Sequence, residues 1–166
     1  MTFKIAACSV LLFITTAITT FGQTWPNEKV IFSFDTQNGK TVTLSKDKKN
    51  KYLIYRFGTK TKVNFEFPGK SRKSWSLFNY SYALRGGGKE NAGIDLNYVY
   101  FTHHHFTYVI YDTYFAEEDK QRIGVKVIDL RSGTTTNISG NIKTRKGILI
   151  GFREDTLITR GGELFD

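Results

Sequence analysis

Three groups of residues in this chain could do chemistry: the consecutive histidines His103, His104 and His105, the scattered carboxylates Glu66, Asp95, Asp112 and Asp129, and a cluster of tyrosines. Successive residues of an extended segment face opposite sides, so only His103 and His105 could share a metal ion. Neither cysteine nor an adjacent carboxylate completes a tetrahedral set. The three histidines read as a polar hairpin tip, and no metal or cofactor is expected. The carboxylates could form the acid and base pair of a glycoside hydrolase if a barrel mouth brought two together. The sequence singles out no pair.

Other catalytic patterns are weaker still. Cys8 is the only cysteine, and no Gly-x-Ser-x-Gly elbow occurs. Ser45-Lys46-Asp47-Lys48 has the spacing of a serine–lysine hydrolase motif but sits in a charged turn without companion motifs. Gly88 and Gly93 bracket four residues as a phosphate loop does. Ile94-Asp95 then stand where lysine and a hydroxyl residue are required, and a strand follows in place of a helix.

Tyrosine is the strongest compositional feature: seven of the nine lie between Tyr80 and Tyr114. A tyrosine offers a rigid apolar face with a polar tip, which suits a binding surface, although it is also a favoured strand residue. Tyr98, Tyr100, Tyr108, Tyr111 and Tyr114 are the candidate ligand-binding residues.

The elements that must position these groups follow from period-two alternation. Val30, Phe32 and Phe34 alternate with polar or smaller residues, Gln37-Asn38-Gly39-Lys40 supplies a turn, and Val42 and Leu44 return. Tyr52–Phe57 and Val63–Phe67 form a second pair, ended by Pro68-Gly69. The apolar parity switches between Trp75-Leu77 and Phe78-Tyr80-Tyr82-Leu84, which predicts a bulge or bend near Ser76–Asn79. Strands over Ile94–Thr102, Phe106–Phe115, Ile123–Ile128 and Thr134–Ser139 follow. Helix and strand remain open for Gly147–Ile158. Eight or nine short antiparallel strands on local turns predict an all-β meander, closed or nearly closed into a small barrel, with a two-sheet sandwich as the second choice.

A three-residue histidine tip would set Tyr100 opposite Tyr108, Tyr98 opposite Ile110 and Leu96 opposite Asp112. One face would then hold Leu96, Tyr98, Tyr100, Tyr108, Ile110 and Tyr114, and the other Val99, Phe101, Val109 and Tyr111. With both faces apolar, this hairpin should be central and covered twice, or should expose one aromatic face.

The N-terminus reads as a cleavable secretory signal over residues 1–22. Lys4 precedes the apolar run Ile5–Phe13, and the small residues Thr20 and Gly22 suit a signal peptidase. A membrane anchor would need about 20 strongly apolar residues, and four threonines dilute this stretch. Residues 23–166 then form one all-β domain without cysteine, held by its hydrophobic core. Of 24 basic residues Lys4 falls in the signal, so 23 face 15 acidic ones and leave a net charge of +8. The basic residues are dispersed, without a nucleic-acid-binding motif. They act as solubilising charge or as a weak attraction to anionic surfaces.

Tyr55-Arg56-Phe57-Gly58-Thr59, Phe65-Glu66-Phe67-Pro68 and Leu84-Arg85-Gly86-Gly87-Gly88 resemble segments of small exported all-β proteins of Gram-negative bacteria with no assigned activity. The resemblance implies periplasmic or secreted placement. A looser similarity is to periplasmic lysozyme-inhibitor β-barrels, from which this chain departs in lacking their disulfide cysteines and in being basic. The expectation is an exported, non-catalytic binding or inhibitor module. It would act on a protein or an anionic cell-envelope polymer through the tyrosine-rich face, without nucleic acid and without a transmembrane span after signal cleavage. The alternatives are a hydrolase using convergent carboxylates and a basic envelope-surface protein.

Overall fold

Alternation builds the first sheet. β1 (Glu28–Asp35) and β2 (Thr41–Asp47) place Phe32, Phe34, Val42 and Leu44 on one face, and β3 (Leu53–Gly58) and β4 (Val63–Phe67) add Leu53, Tyr55 and Phe67 to it. The computed structural model describes residues 23–71 and 73–165, so the signal expected over residues 1–22 lies outside the described residues.

The second sheet is a longer meander of β5 (Asn79–Arg85), β6 (Ile94–His103), β7 (Phe106–Phe115), β8 (Lys120–Asp129) and β9 (Thr135–Ser139). Two short late segments complete the edges. β10 (Lys146–Gly147) pairs antiparallel with β1, and β11 (Thr159–Arg160) pairs parallel with β5. The strand orders are β10-β1-β2-β3-β4 and β11-β5-β6-β7-β8-β9.

The protein is all-β, but among the described residues neither sheet closes, so the barrel expectation gives way to two sheets packed face to face. Their inner faces share one core, in which Phe32, Leu44 and Tyr55 of the first sheet meet Tyr80, Phe101 and Ile110 of the second. Each such fully buried apolar side chain contributes about 1.5–3 kcal/mol. The sheets are stitched at one corner, where Gly140 bridges to Thr36 and Asn141 donates to the Asp35 carbonyl at 2.7 Å. Gly140 is required by that close approach: a Cβ there would fall 2.5 Å from the Phe34 ring.

Three local expectations are corrected. The parity switch near residues 76–79 is a bend and not a bulge, and it lies outside any strand: a 3-10 turn over Trp75–Leu77 carries the chain from one sheet to the other. Gly147–Ile158 is neither helix nor strand throughout; a 3-10 turn over Ile150–Arg153 lies between β10 and β11.

The histidine tip has two residues and not three. His103 pairs with Phe106, and His104 takes a φ of 53°. The register therefore shifts by one: Tyr98 faces Tyr111, Tyr100 faces Val109 and Phe101 faces Tyr108. A one-residue slip turns a whole strand over. Tyr108 and Ile110 thus lie with Val99 and Phe101 on the inner face, while Tyr111 and Val109 join Leu96 and Tyr98 outside.

Candidate functional site

The register resolves the inner face of the second sheet into rows of side chains. The rows Phe101–Tyr108–Val127, extended by the Phe78 ring 5.2 Å from Phe101, and Tyr80–Val99–Ile110–Val125 are apolar and lie under the first sheet. The next row is Tyr82–Asn97–Asp112–Ile123 and the last is Leu84–Asp95–Tyr114–Gln121. The same alternation that carries hydrophobic residues into the core thus continues outward into a polar ledge.

The segment after β9 folds over this ledge. Leu149 and Phe152 anchor it in the core, with the Phe152 ring 5.8 Å from Tyr80. Arg145 and Arg153 are thereby brought down onto the two aspartates. A recess of about 180 Å³ results, with Asp95, Asn97 and Asp112 among its lining residues and Tyr114, Ile148 and Ile150 contributing apolar surface.

The floor is a connected hydrogen-bond network. Arg153 pairs with Asp95 and donates to Asn97 Oδ1 at 3.0 Å, and Tyr80 donates to the same oxygen at 2.7 Å. Asn97 Nδ2 donates to Asp95 at 2.7 Å. Asp112 accepts from Gln121 at 2.9 Å and from Arg145 at 3.3 Å. Burial disfavours the charge on Arg153, but Tyr80 and Asp95 outweigh it and raise its pKa. Burial raises the Tyr80 hydroxyl, partly countered by Arg153 and Arg160. The Arg153 guanidinium also lies 4.8 Å from the Tyr82 ring centre, and its buried Nε–H has no partner among the described residues.

Two of the four strand carboxylates singled out in the sequence, Asp95 and Asp112, do come together, as diagonal neighbours across β6 and β7. Glu66 lies on β4 against Arg56, and Asp129 ends β8 at the Arg131–Thr134 turn. Neither Asp95 nor Asp112 stands free, since each is held by an arginine.

The candidate tyrosines divide between the two faces. Tyr98 and Tyr111 are buried on the outer face, where Tyr111 crosses Gly124 to donate to Asn137 at 3.0 Å. The C-terminal segment covers Tyr98 and the half-buried Tyr100, with the Phe165 ring 5.6 and 4.9 Å from theirs. Tyr108 packs inside, stacked on Phe101 at 5.0 Å. Tyr114 is exposed at the recess and donates to Asp119 at 2.9 Å.

His103 packs against Phe65 and Phe67, and among the described residues no three metal-ligating side chains converge. Ser45 is fully buried, while Lys48 reaches away to the Pro26 carbonyl at 2.7 Å. The serine–lysine spacing therefore builds no nucleophile. Sequence reasoning missed Asn97, Arg145 and Arg153. The signal for Asn97 was available: it shares the parity of Val99 and Phe101, where a core residue would be expected.

No helix among the described residues is long and apolar enough to cross a membrane. Compared with protein families, curated proteins and solved structures, the chain matches none of them.

Proposed function

We propose that the chain is an exported, non-catalytic binding module, and that its ligand-binding site is the ledge recess and not the outer tyrosine face. The observation that carries this reading is that Asp95 and Asp112 line one recess, Asp112 paired there with Arg145 and Asp95 held from behind by Arg153. Two negative and two positive groups balance there, in a chain whose residues 23–166 are otherwise strongly basic.

A balanced floor favours a neutral, hydroxyl- or amide-rich ligand over an ion. Carboxylate, carboxamide and guanidinium groups offer planar donors and acceptors, and the Tyr114 ring with Ile148 and Ile150 supplies apolar surface. That combination suits a short stretch of cell-envelope glycan. The charged-then-apolar pattern of residues 1–22 supports export, to the periplasm or beyond it.

The test is titration of the chain with soluble envelope-glycan fragments, read by NMR shifts of the Asn97 and Gln121 side-chain amides. Saturable shifts are expected, with Tyr114→Ala weakening binding about tenfold. Binding that ignores Tyr114→Ala and Gln121→Ala, or an absence of binding, overturns the reading. Hydrolysis of such a fragment, abolished by Asp112→Asn, would establish the catalytic alternative.

A further inference from the structure

The excess positive charge has a location of its own. At one end of the first sheet, Lys29 of β1 stands directly opposite Lys46 of β2. Like charges in directly opposed positions destabilise a sheet. The adjoining β2–β3 turn adds Lys48, Lys49 and Lys51, all exposed.

Hydrogen bonds and cation–π contacts bring two tryptophans and a further lysine to this end. Lys48 is tied to the N-terminal segment through the Asn27 carbonyl at 2.8 Å and the Pro26 carbonyl at 2.7 Å. Trp75 donates its indole N–H to the Asn50 carbonyl at 2.9 Å, and the Lys46 ammonium lies 6.0 Å from its ring. Lys70 places its ammonium 3.6 Å from the centre of the Trp25 ring. Trp25 itself is 55% exposed, and Leu77, next to the Trp75 turn, is 47% exposed.

The carboxylates at this end of the sheet leave the lysines in excess, since Asp47 sets a single negative charge beside Lys51 and offsets only part of the patch. Asp47 accepts from Asn27 and from the backbone amides of Lys49 and Lys51. Glu28 is sealed against Arg56. The lysines are spread over a surface and do not converge on a single anion. An exposed indole among dispersed ammonium groups is the arrangement that sits at the headgroup level of a bilayer, with lysines meeting lipid phosphates around it.

We infer that this end of the first sheet docks on an anionic bilayer surface, with Trp25 entering the headgroup layer and Lys46, Lys48, Lys49, Lys51 and Lys70 contacting phosphates. The docking shares no residue with the ledge recess, so each can fail without the other.

The experiment is sedimentation of the full chain with vesicles of phosphatidylglycerol or of phosphatidylcholine, with tryptophan fluorescence recorded in parallel. Binding is expected to phosphatidylglycerol alone, falling with added salt, with a blue shift that Trp25→Ala removes. Reversing Lys48, Lys49 and Lys51 together to glutamate should weaken it about a hundredfold. All three are exposed, and an unchanged far-UV circular dichroism spectrum checks that the variant folds. Equal binding to both lipids, no binding to either, or binding that ignores the triple reversal overturns the inference. So does tighter capture by soluble polyglutamate than by vesicles, with Trp25 fluorescence unmoved, which would assign the patch to an acidic protein instead.

Discussion

Arg56 and Glu28 meet through two parallel hydrogen bonds of 2.6 and 2.9 Å on the outer face of the first sheet, with both side chains closed off from solvent. Arg56 also donates to Glu66 at 2.6 Å and to the Gln23 carbonyl at 2.8 Å. An outward-pointing strand residue is ordinarily solvated. Here the residues leading into β1 lie over it, and the Gln23 side chain fastens them to the Thr59 carbonyl at 2.8 Å.

Removing one partner of a sealed pair leaves the other charged and unmatched. Arg56→Ala should therefore lower stability by about 3–5 kcal/mol. Replacing Arg56 and Glu28 together by apolar residues should recover most of that loss. Chemical denaturation of the single and double variants measures the difference, and a double variant no more stable than the single one would refute the argument.

The same pair gives stability a pH dependence. Burial alone would raise the Glu28 carboxyl, but Arg56, the Trp25 amide and the Tyr52 hydroxyl outweigh it and hold the group below the usual carboxylate range. A group depressed in the folded state stabilises the protein above its unfolded pKa, about 4.3, and loses that contribution as pH falls through the folded value. Denaturant unfolding at a series of pH values should show stability falling below about pH 4.3. Glu28→Gln should make that fall shallower.

Gly140→Ala should destabilise the corner where the sheets are joined. The added methyl would meet Phe34 at 2.5 Å and Ile123 at 2.8 Å, both in the packed core. Overpacking of this kind costs about 1–3 kcal/mol. Thermal unfolding of the variant checks it, and an unchanged midpoint would mean that the stitch tolerates a side chain.

Phe165→Ala should uncover the outer face without unfolding the protein. Its ring is the aromatic cover over Tyr98 and Tyr100, while the inner core receives nothing from it. Increased binding of a hydrophobic dye and a stability loss of about 1 kcal/mol are expected. Dye binding equal to that of the parent chain would show that other residues cover the face.

Strand positions were legible because period-two alternation at Val30–Phe34, Val42–Leu44 and Val63–Phe67 depends only on neighbouring residues. The face assignment of Tyr108 and Tyr114 was not, because it turned on whether the histidine tip holds two residues or three. Asp95 and Asp112 could be singled out as strand carboxylates. Their arginines could not, since Arg145 and Arg153 arrive from a segment whose path is fixed by Leu149 and Phe152 entering a core built elsewhere. The burial of Arg56 was equally hidden. It depends on Gln23, which lies 33 positions away along the chain.

The pairing of β1 with β10 places Phe32 beside Gly147, which lies 115 positions later in the chain. Until the residues around Gly147 arrive and fold, the outer edge of β1 stands without its partner. Its neighbours β2, β3 and β4 are already available on local turns during that interval. The nascent first sheet therefore presents an open edge beside Phe32, and an open edge is a template for pairing with another chain. How soon residues 36–147 fold behind β1 thus bears on how much newly made protein is lost to aggregation, a quantity that the finished fold conceals.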